Sequence, residues 1–399
     1  MEDLKIKVGP IGLLDMLKFK NQVKTRDKEI AKGKADLFPK EFDVNQKAKL
    51  MHPKSQSLIV CDIIKHSDDV KTFVFEAANG QPLAYFRAGQ YLSFRLEIGG
   101  SVVTRPISIC SSPKEALKGN YAITVKRAGF ASDYMLDHWK IGEKVEASAP
   151  LGNFYYTGLR DGKHVIGLAG GSGITPFVSM ALAIAEGTED FELTLLYGSR
   201  TREDIVLRDV LKECEKRANG KIKIVYVLSD EEIDGYEYGF ITKELIQKYK
   251  KEGTNSYFVC GPQAMYQFVS KEMSALHIQP KWIRRELFGA SKTPWKLEGY
   301  PEKAKDKTYK VTVVCCGDSR TIRANANESI QIALERAGIK APSHCRSGEC
   351  GWCRSRLIDG NVFVPNDVHG IRAADKLYGY IHPCVSYPIS DIILEINKE

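Results

Sequence analysis

The alternation of hydrophobic and polar positions changes rhythm several times along the chain. In GLLDMLKFKNQVKTRDKEIAKGK, residues 12–34, Leu13, Leu14, Leu17 and Ile30 are spaced for one helix, within a basic extension of residues 1–52 whose remainder reads as an arm. Residues 53–157 then run in short β-rich segments, SLIVCDIIKH, KTFVFEA, YLSFRLEI, YAITVKRA and KVEASAPLG, separated by turn residues. Together they predict an antiparallel barrel. Between residues 158 and 290 the pattern becomes one of brief, nearly continuous apolar runs (HVIGLAGG, FELTLLYG, KIKIVYVLS, SYFVCG) alternating with helix-length segments. That is the signature of buried parallel strands with crossover helices, a doubly wound α/β domain. Residues 291–307 have the Pro, Gly and charge of a linker. The last region, 308–399, opens with the strand pair YKVTVVCC and SRTIRANA and the helix SIQIALERAG, and then enters a cysteine-rich loop. No internal repeat is present.

Composition narrows the class. A chain of 399 residues is long enough for about three domains. Its ten cysteines are not spaced like a secreted scaffold, no apolar run reaches membrane-span length, and MEDLKIKVG is not a signal peptide. A soluble, cytoplasmic protein is expected. The net charge of +8 sits at the ends: Lys and Arg stand against Asp and Glu as 13 to 8 in residues 1–54 and 29 to 29 in residues 55–290. A basic end of this kind is a solvated face or a docking surface for an acidic partner; without an aromatic-interleaved basic groove, no nucleic-acid partner is expected.

The strongest chemical signal is SHCRSGECGWCRSRLIDG, residues 343–360. Cys345, Cys350 and Cys353 fall as C-x4-C-x2-C, and Cys384 follows after thirty residues. This is the spacing of a plant-type [2Fe–2S] site, whereas zinc loops favour paired C-x2-C knuckles. Ser343, Ser347, Gly348 and Gly351 let such a loop wrap closely and turn its amides toward the sulfurs. Arg346, Arg354 and Arg356 form a basic rim that either meets an acidic partner or offsets cluster charge. Cys61, Cys110, Cys214, Cys315 and Cys316 read as small buried hydrophobes.

A one-electron centre needs a donor, and the middle of the chain has candidates. RPISICSS, 105–112, places Arg105, Pro106, Ile107 and Ser108 on one extended segment, with an arginine suited to a phosphate and a hydroxyl suited to a redox ring. GFASDYM, 129–135, sets Gly129 before Ser132, read here as a helix N-cap facing a pyrophosphate. LAGGSGITPF, 168–177, puts Gly170, Gly171, Gly173 and Thr175 between a strand and a helix, the order a dinucleotide requires. VCGPQAM, 259–265, places Cys260, Gly261 and Pro262 at the carboxyl end of a later strand.

These motifs, in this order, resemble the ferredoxin-NADP(+) reductase superfamily from Ser57 to Phe288, and a plant-type ferredoxin domain of β-grasp fold from Thr308 onward. The combination is similar to the reductase components of multicomponent oxygenases, of the phthalate dioxygenase reductase type. The resemblance implies that Arg105 holds the flavin phosphate, that Ser108 lies near the flavin N5, and that Gly129 and Ser132 serve the pyrophosphate of FAD. It also implies nicotinamide contacts at Gly170 to Thr175 and at Cys260 to Pro262, with Glu286 and Phe288 of ELF brought to the flavin edge. Ser108, Cys260 and Glu286 are then the catalytic candidates, and the four cysteines the cluster ligands. Ile107 stands where the family often has a tyrosine, the last domain is nearly neutral, and residues 1–52 have no counterpart.

Coenzyme preference is argued from charge. Ser229 and Asp230, followed by Glu231 and Glu232, end the strand KIKIVYVLS; carboxylates there repel a 2′-phosphate, which favours NADH. Arg200 and Arg202 keep NADPH open. The expected activity is NAD(P)H oxidation through FAD and a [2Fe–2S] cluster to a separate acceptor protein, an oxygenase or another redox enzyme. The alternatives are donation to an anaerobic reductase system and a redox sensor without turnover.

Overall fold

The structure, a computed structural model, describes residues 10–33, 42–368 and 370–397. It divides into two compact units, residues 1–49 and 50–399. In the first, α1 (Pro10–Lys32) forms as its spacing predicts, yet Leu13, Leu14, Leu17 and Ile30 are all more than half exposed. Part of the expected arm is also helical: α2 spans Asp43–Met51, with Asp43 favourably placed in its first turn. Residues 1–9 and 34–41 of the extension lie outside the described residues.

The second unit begins with a six-stranded antiparallel sheet of β1 (Ser55–Ser67), β2 (Val70–Ala77), β3 (Tyr91–Ile98), β4 (Ser101–Ser108), β5 (Tyr121–Lys126) and β6 (Lys144–Ser148), in the order β4-β3-β6-β1-β2-β5. Leu58, Phe73, Phe75, Leu92, Phe94, Tyr121 and Ile123 fill its interior, and Trp139 meets Phe73 edge-on at 5.2 Å. Helices α3 (Pro113–Leu117) and α4 (Phe130–His138) accompany it. The segment carrying Arg105 to Ser108 is thus β4, an edge strand whose partner is β3.

A six-stranded parallel sheet follows: β7 (His164–Gly170), β8 (Glu192–Ser199), β9 (Ile222–Leu228), β10 (Glu237–Tyr238), β11 (Asn255–Cys260) and β12 (Ile283–Glu286), ordered β10-β9-β8-β7-β11-β12. Helices α5 (Thr175–Ala185), α6 (Arg208–Arg217), α7 (Lys243–Tyr249) and α8 (Gln263–Ala275) connect its strands. The order reverses between β7 and β11, the switch point at which open α/β sheets bind ligands.

The third part is a five-stranded mixed sheet ordered β14-β13-β19-β15-β17, with a separate β16–β18 pair. Its strands are β13 (Thr308–Cys315), β14 (Asp318–Asn325), β15 (Ser355–Asp359), β16 (Val362–Phe363), β17 (Tyr380–Ile381), β18 (Tyr387–Pro388) and β19 (Ile392–Glu395); α9 (Ile330–Arg336) and α10 (Ala373–Leu377) are its helices. The segment read as a linker has a packed side of its own: Tyr300 is buried against Phe363, and the Tyr387 hydroxyl donates to the Ser291 carbonyl at 2.7 Å. Of the cysteines expected in cores, only Cys110 and Cys214 are buried. Cys61 and Cys315 are half-buried, and Cys316 is exposed at the β13–β14 turn with φ 54°, because a tight hairpin forces that position out of the sheet.

Candidate functional site

Parallel pairing sets Cys260 beside Ala169 on one side and beside Glu286 on the other. Glu286 in turn meets the barrel: the Ser108 hydroxyl donates to its Oε1 at 2.9 Å. Ser108, Cys260 and Glu286 therefore converge where the two sheets abut, and all three are buried. Burial pushes the Glu286 carboxyl up to about 8, partly opposed by the Ser108 hydrogen bond. The same burial, reinforced by Glu286, holds the Cys260 thiol well above its ordinary range.

A cavity of about 530 Å³ opens at the carboxyl ends of β7, β8 and β9, lined among others by Gly170, Gly171, Ser199, Arg200, Ser229 and Pro262. It joins the leads into α5 and α8, two places where backbone amides favour a phosphate. Gly173 packs so closely on the Cys260 carbonyl that a Cβ there would fall 2.6 Å from the Gly261 nitrogen. The glycine loop thus links the cavity to the Ser108–Glu286 contact. Thr175 opens α5 but is buried, with its hydroxyl donating to Ser172 O at 3.1 Å. Asp230 is exposed beyond the cavity and accepts from the Ser229 hydroxyl at 2.6 Å. Arg200, 73% exposed at its side chain, pairs with Asp204 at 3.5 Å; Glu231 accepts from the Arg202 amide at 2.7 Å.

The barrel residues are placed less simply. Pro106 is buried and Ile107 packs on the barrel core. Arg105 reaches toward α9: its Nη1 donates to Thr104 O at 2.7 Å and lies 3.8 Å from Glu335 Oε2. Burial and then Arg346 bring its guanidinium down to about 10, against the pull of Glu335. Ser132 is not the cap of α4. Gly129 is, because its extended backbone with φ 124° suits only glycine, while the Ser132 hydroxyl closes the first turn onto Gly129 O at 2.8 Å. Phe288 is half-buried and meets Tyr91 edge-on at 5.2 Å. Tyr91 is a residue that sequence reasoning passed over. In YLSFRLEI it falls on the face of Ser93, Arg95 and Glu97, and its only signal is that an aromatic opens that polar face; in the fold Tyr91 and Ser93 are buried there.

The four loop cysteines come together. Cys345, Cys353 and Cys384 are buried and Cys350 is exposed. The Cys353 and Cys384 sulfurs lie 3.3 Å apart. The amide of Cys350 donates to Cys345 Sγ at 3.3 Å, and that of Trp352 to Cys350 Sγ at 3.4 Å. The Cys345 thiol is held far below its ordinary range by donation from Cys350 and Cys384. The four sulfurs form one network, Cys345 interacting with Cys350 and Cys384 and Cys384 also with Cys353, a grouping of four thiols that suits a two-iron cluster. The basic rim expected of Arg346 and Arg354 is absent as free charge. Arg346, at left-handed φ 58°, is buried against Glu335, and Arg354 pairs with Asp375 at 2.5 Å and lies over Tyr380. Of the three arginines, only Arg356 is exposed.

Buried polar atoms without a hydrogen-bond partner among the described residues test the fit of a cofactor. Thr104 Oγ1 and Ser112 Oγ flank the Arg105–Ser108 segment, Ser199 Oγ belongs to a cavity-lining residue, and Ser343 Oγ and His344 Nδ1 lie in the cysteine loop. The residues present fit a flavin, a nicotinamide dinucleotide and a [2Fe–2S] cluster.

The comparisons agree in order and extent. Residues 57–156 match an oxidoreductase FAD-binding domain, 168–271 an oxidoreductase NAD-binding domain, and 313–388 a 2Fe-2S iron-sulfur cluster binding domain. The chain is 30% identical to the 3-ketosteroid-9-alpha-monooxygenase ferredoxin reductase component of Mycobacterium tuberculosis, over 84% of this chain and 94% of that protein. It is 27% identical to the glycine betaine monooxygenase reductase subunit of Chromohalobacter salexigens, over 84% and 93% respectively. Among solved structures, phthalate dioxygenase reductase superposes with a TM-score of 0.62 at 27% identity, covering 86% of this chain and 98% of that one. No helix among the described residues is long and apolar enough to cross a membrane.

Proposed function

We propose that this chain, which belongs to the family of flavin- and [2Fe–2S]-containing reductase components of oxygenases, takes two electrons from NADH and delivers them singly to a separate oxygenase protein. The observation that carries the reading is the junction itself: Ser108 of the barrel is hydrogen-bonded to Glu286 of the parallel sheet, and Ser93, on the same face of the β3–β4 pair, donates to the carbonyl of His344 beside cluster ligand Cys345 at 3.4 Å. FAD supplies hydride acceptance and single-electron release, and the cluster carries one electron at a time.

The protein's own part is positioning and proton control. The lead into α5, the start of α8 and Gly173 bind and orient the dinucleotide, with Cys260, Gly261 and Pro262 lining its path toward Ser108. Ser108 orients the ring through its hydroxyl, and Glu286, whose Oε1 accepts from Ser108, keeps a proton on its carboxyl at neutral pH within the buried contact. Arg105 holds the flavin phosphate, and the Gly129 turn lies where a pyrophosphate is received. Cys345, Cys350, Cys353 and Cys384 hold the cluster. The preference for NADH rests on the acidic run at 230–232 and on the engagement of Arg200 with Asp204, which draws that guanidinium away from a 2′-phosphate.

The test is an anaerobic visible spectrum with one equivalent of NADH. Bleaching of both flavin and cluster bands is the expected result; a cluster that NADH leaves oxidised would overturn the relay.

A further inference from the structure

One buried aromatic ring lies beside the Ser108–Glu286 contact, on the strand that also meets the cysteine loop, and the sequence motifs assign it no task. Tyr91 is 4% exposed and pairs across the hairpin with Ser108, so the two side chains share a face of the sheet. On that face Ser108 reaches Glu286, and the Tyr91 ring meets Phe288 two residues further along. The ring's other side is closed by Gly152, with φ 99°, where a Cβ would fall 2.9 Å from two ring carbons and 3.6 Å from Glu286 Oε2. Only glycine permits that approach. Two residues along β3 on the same face, about 7 Å at strand rise, Ser93 donates to His344 O next to Cys345.

We infer that Tyr91 is a positioning residue: its ring, wedged between Phe288 and Gly152, fixes the separation between the Ser108–Glu286 site and the cluster loop, and thereby sets the rate of electron passage from flavin to cluster. The inference rests on the relay proposed above. Receipt of the hydride is assigned to Ser108, Cys260 and Glu286, so flavin bleaching reports on that site and cluster bleaching on the passage beyond it.

The experiment uses the holoenzyme, anaerobic stopped-flow mixing with NADH, and separate wavelengths for flavin and cluster. Tyr91→Met and Tyr91→Phe are compared with wild type, together with FAD and iron content and the midpoint potentials of both centres. The expected result is unchanged cofactor content, potentials and flavin bleaching in all three proteins. Cluster bleaching should be slowed on the order of tenfold or more in Tyr91→Met and be close to wild type in Tyr91→Phe, because the ring is retained. Equal cluster rates in all three proteins would overturn the inference. So would equal slowing in Tyr91→Phe, loss of FAD from both variants, or a shifted potential that accounts for the change. Failure of the wild-type cluster to bleach at all is the distinct failure of the relay, and the inference falls with it.

Discussion

The Ser108 hydroxyl donates to Glu286 Oε1 across 178 residues of chain, joining the edge strand of the barrel sheet to the last strand of the parallel sheet. Neither partner is exposed, so the contact defines a dry seam in which a carboxyl near 8 is protonated at neutral pH.

Glu286→Gln is expected to slow NADH-driven flavin bleaching by on the order of 10²-fold and to remove an inflection near pH 8 from that rate. Stopped-flow rates from pH 6 to 9 check this.

The same carboxyl makes stability depend on pH. Between its ordinary value of 4.5 and about 8 the folded state keeps a proton that the unfolded chain releases, so stability is full below 4.5 and falls as pH rises toward 8. Glu286→Gln removes this loss, amounting to about a few kcal/mol. Measured as Tm at pH 5 and pH 8.5, the gap should narrow in the variant. An unchanged gap would show that Glu286 titrates normally.

Arg346, next to Cys345, is held by Glu335 in a buried pair, and Arg105 approaches the same carboxylate from β4. Glu335→Ala leaves a buried guanidinium without its partner and should cost about 3–5 kcal/mol, read from denaturant midpoints, with iron content falling in parallel. Glu335→Gln should cost less because it keeps one acceptor.

Gly173→Ala pushes a methyl into the Cys260–Gly261 backbone, which cannot yield as a flexible side chain could. NADH binding should weaken about tenfold or more while FAD content stays at wild-type level, since the barrel is not involved. Titration of each ligand distinguishes the two.

Asp230→Arg places a cation beside Ser229, which lines the nucleotide cavity. The ratio of kcat/KM for NADPH over NADH should rise about tenfold or more. Constancy of that ratio would locate the adenosine ribose elsewhere.

The domain order, the strand rhythm and the choice of four cysteines as candidate cluster ligands were legible along the chain. Those depend on local spacing: period-two and continuous apolar runs decide which sheet a segment joins, and C-x4-C-x2-C restricts which metal a loop can wrap. The sequence also brought Ser108, Cys260 and Glu286 together as candidates, through motif order. What those residues touch was set by register and packing. Register placed Cys260 beside Glu286, and sheet-to-sheet packing placed Glu286 on Ser108. Charge was the least legible quantity. Arg346 and Arg354 look like a basic rim along the chain, but their carboxylate partners, Glu335 and Asp375, lie 11 residues before and 21 after, on helices whose docking no local pattern reports. Tyr91 was invisible for a related reason: an aromatic on a strand reads as core, and its packing against Phe288 exists only once the two sheets meet.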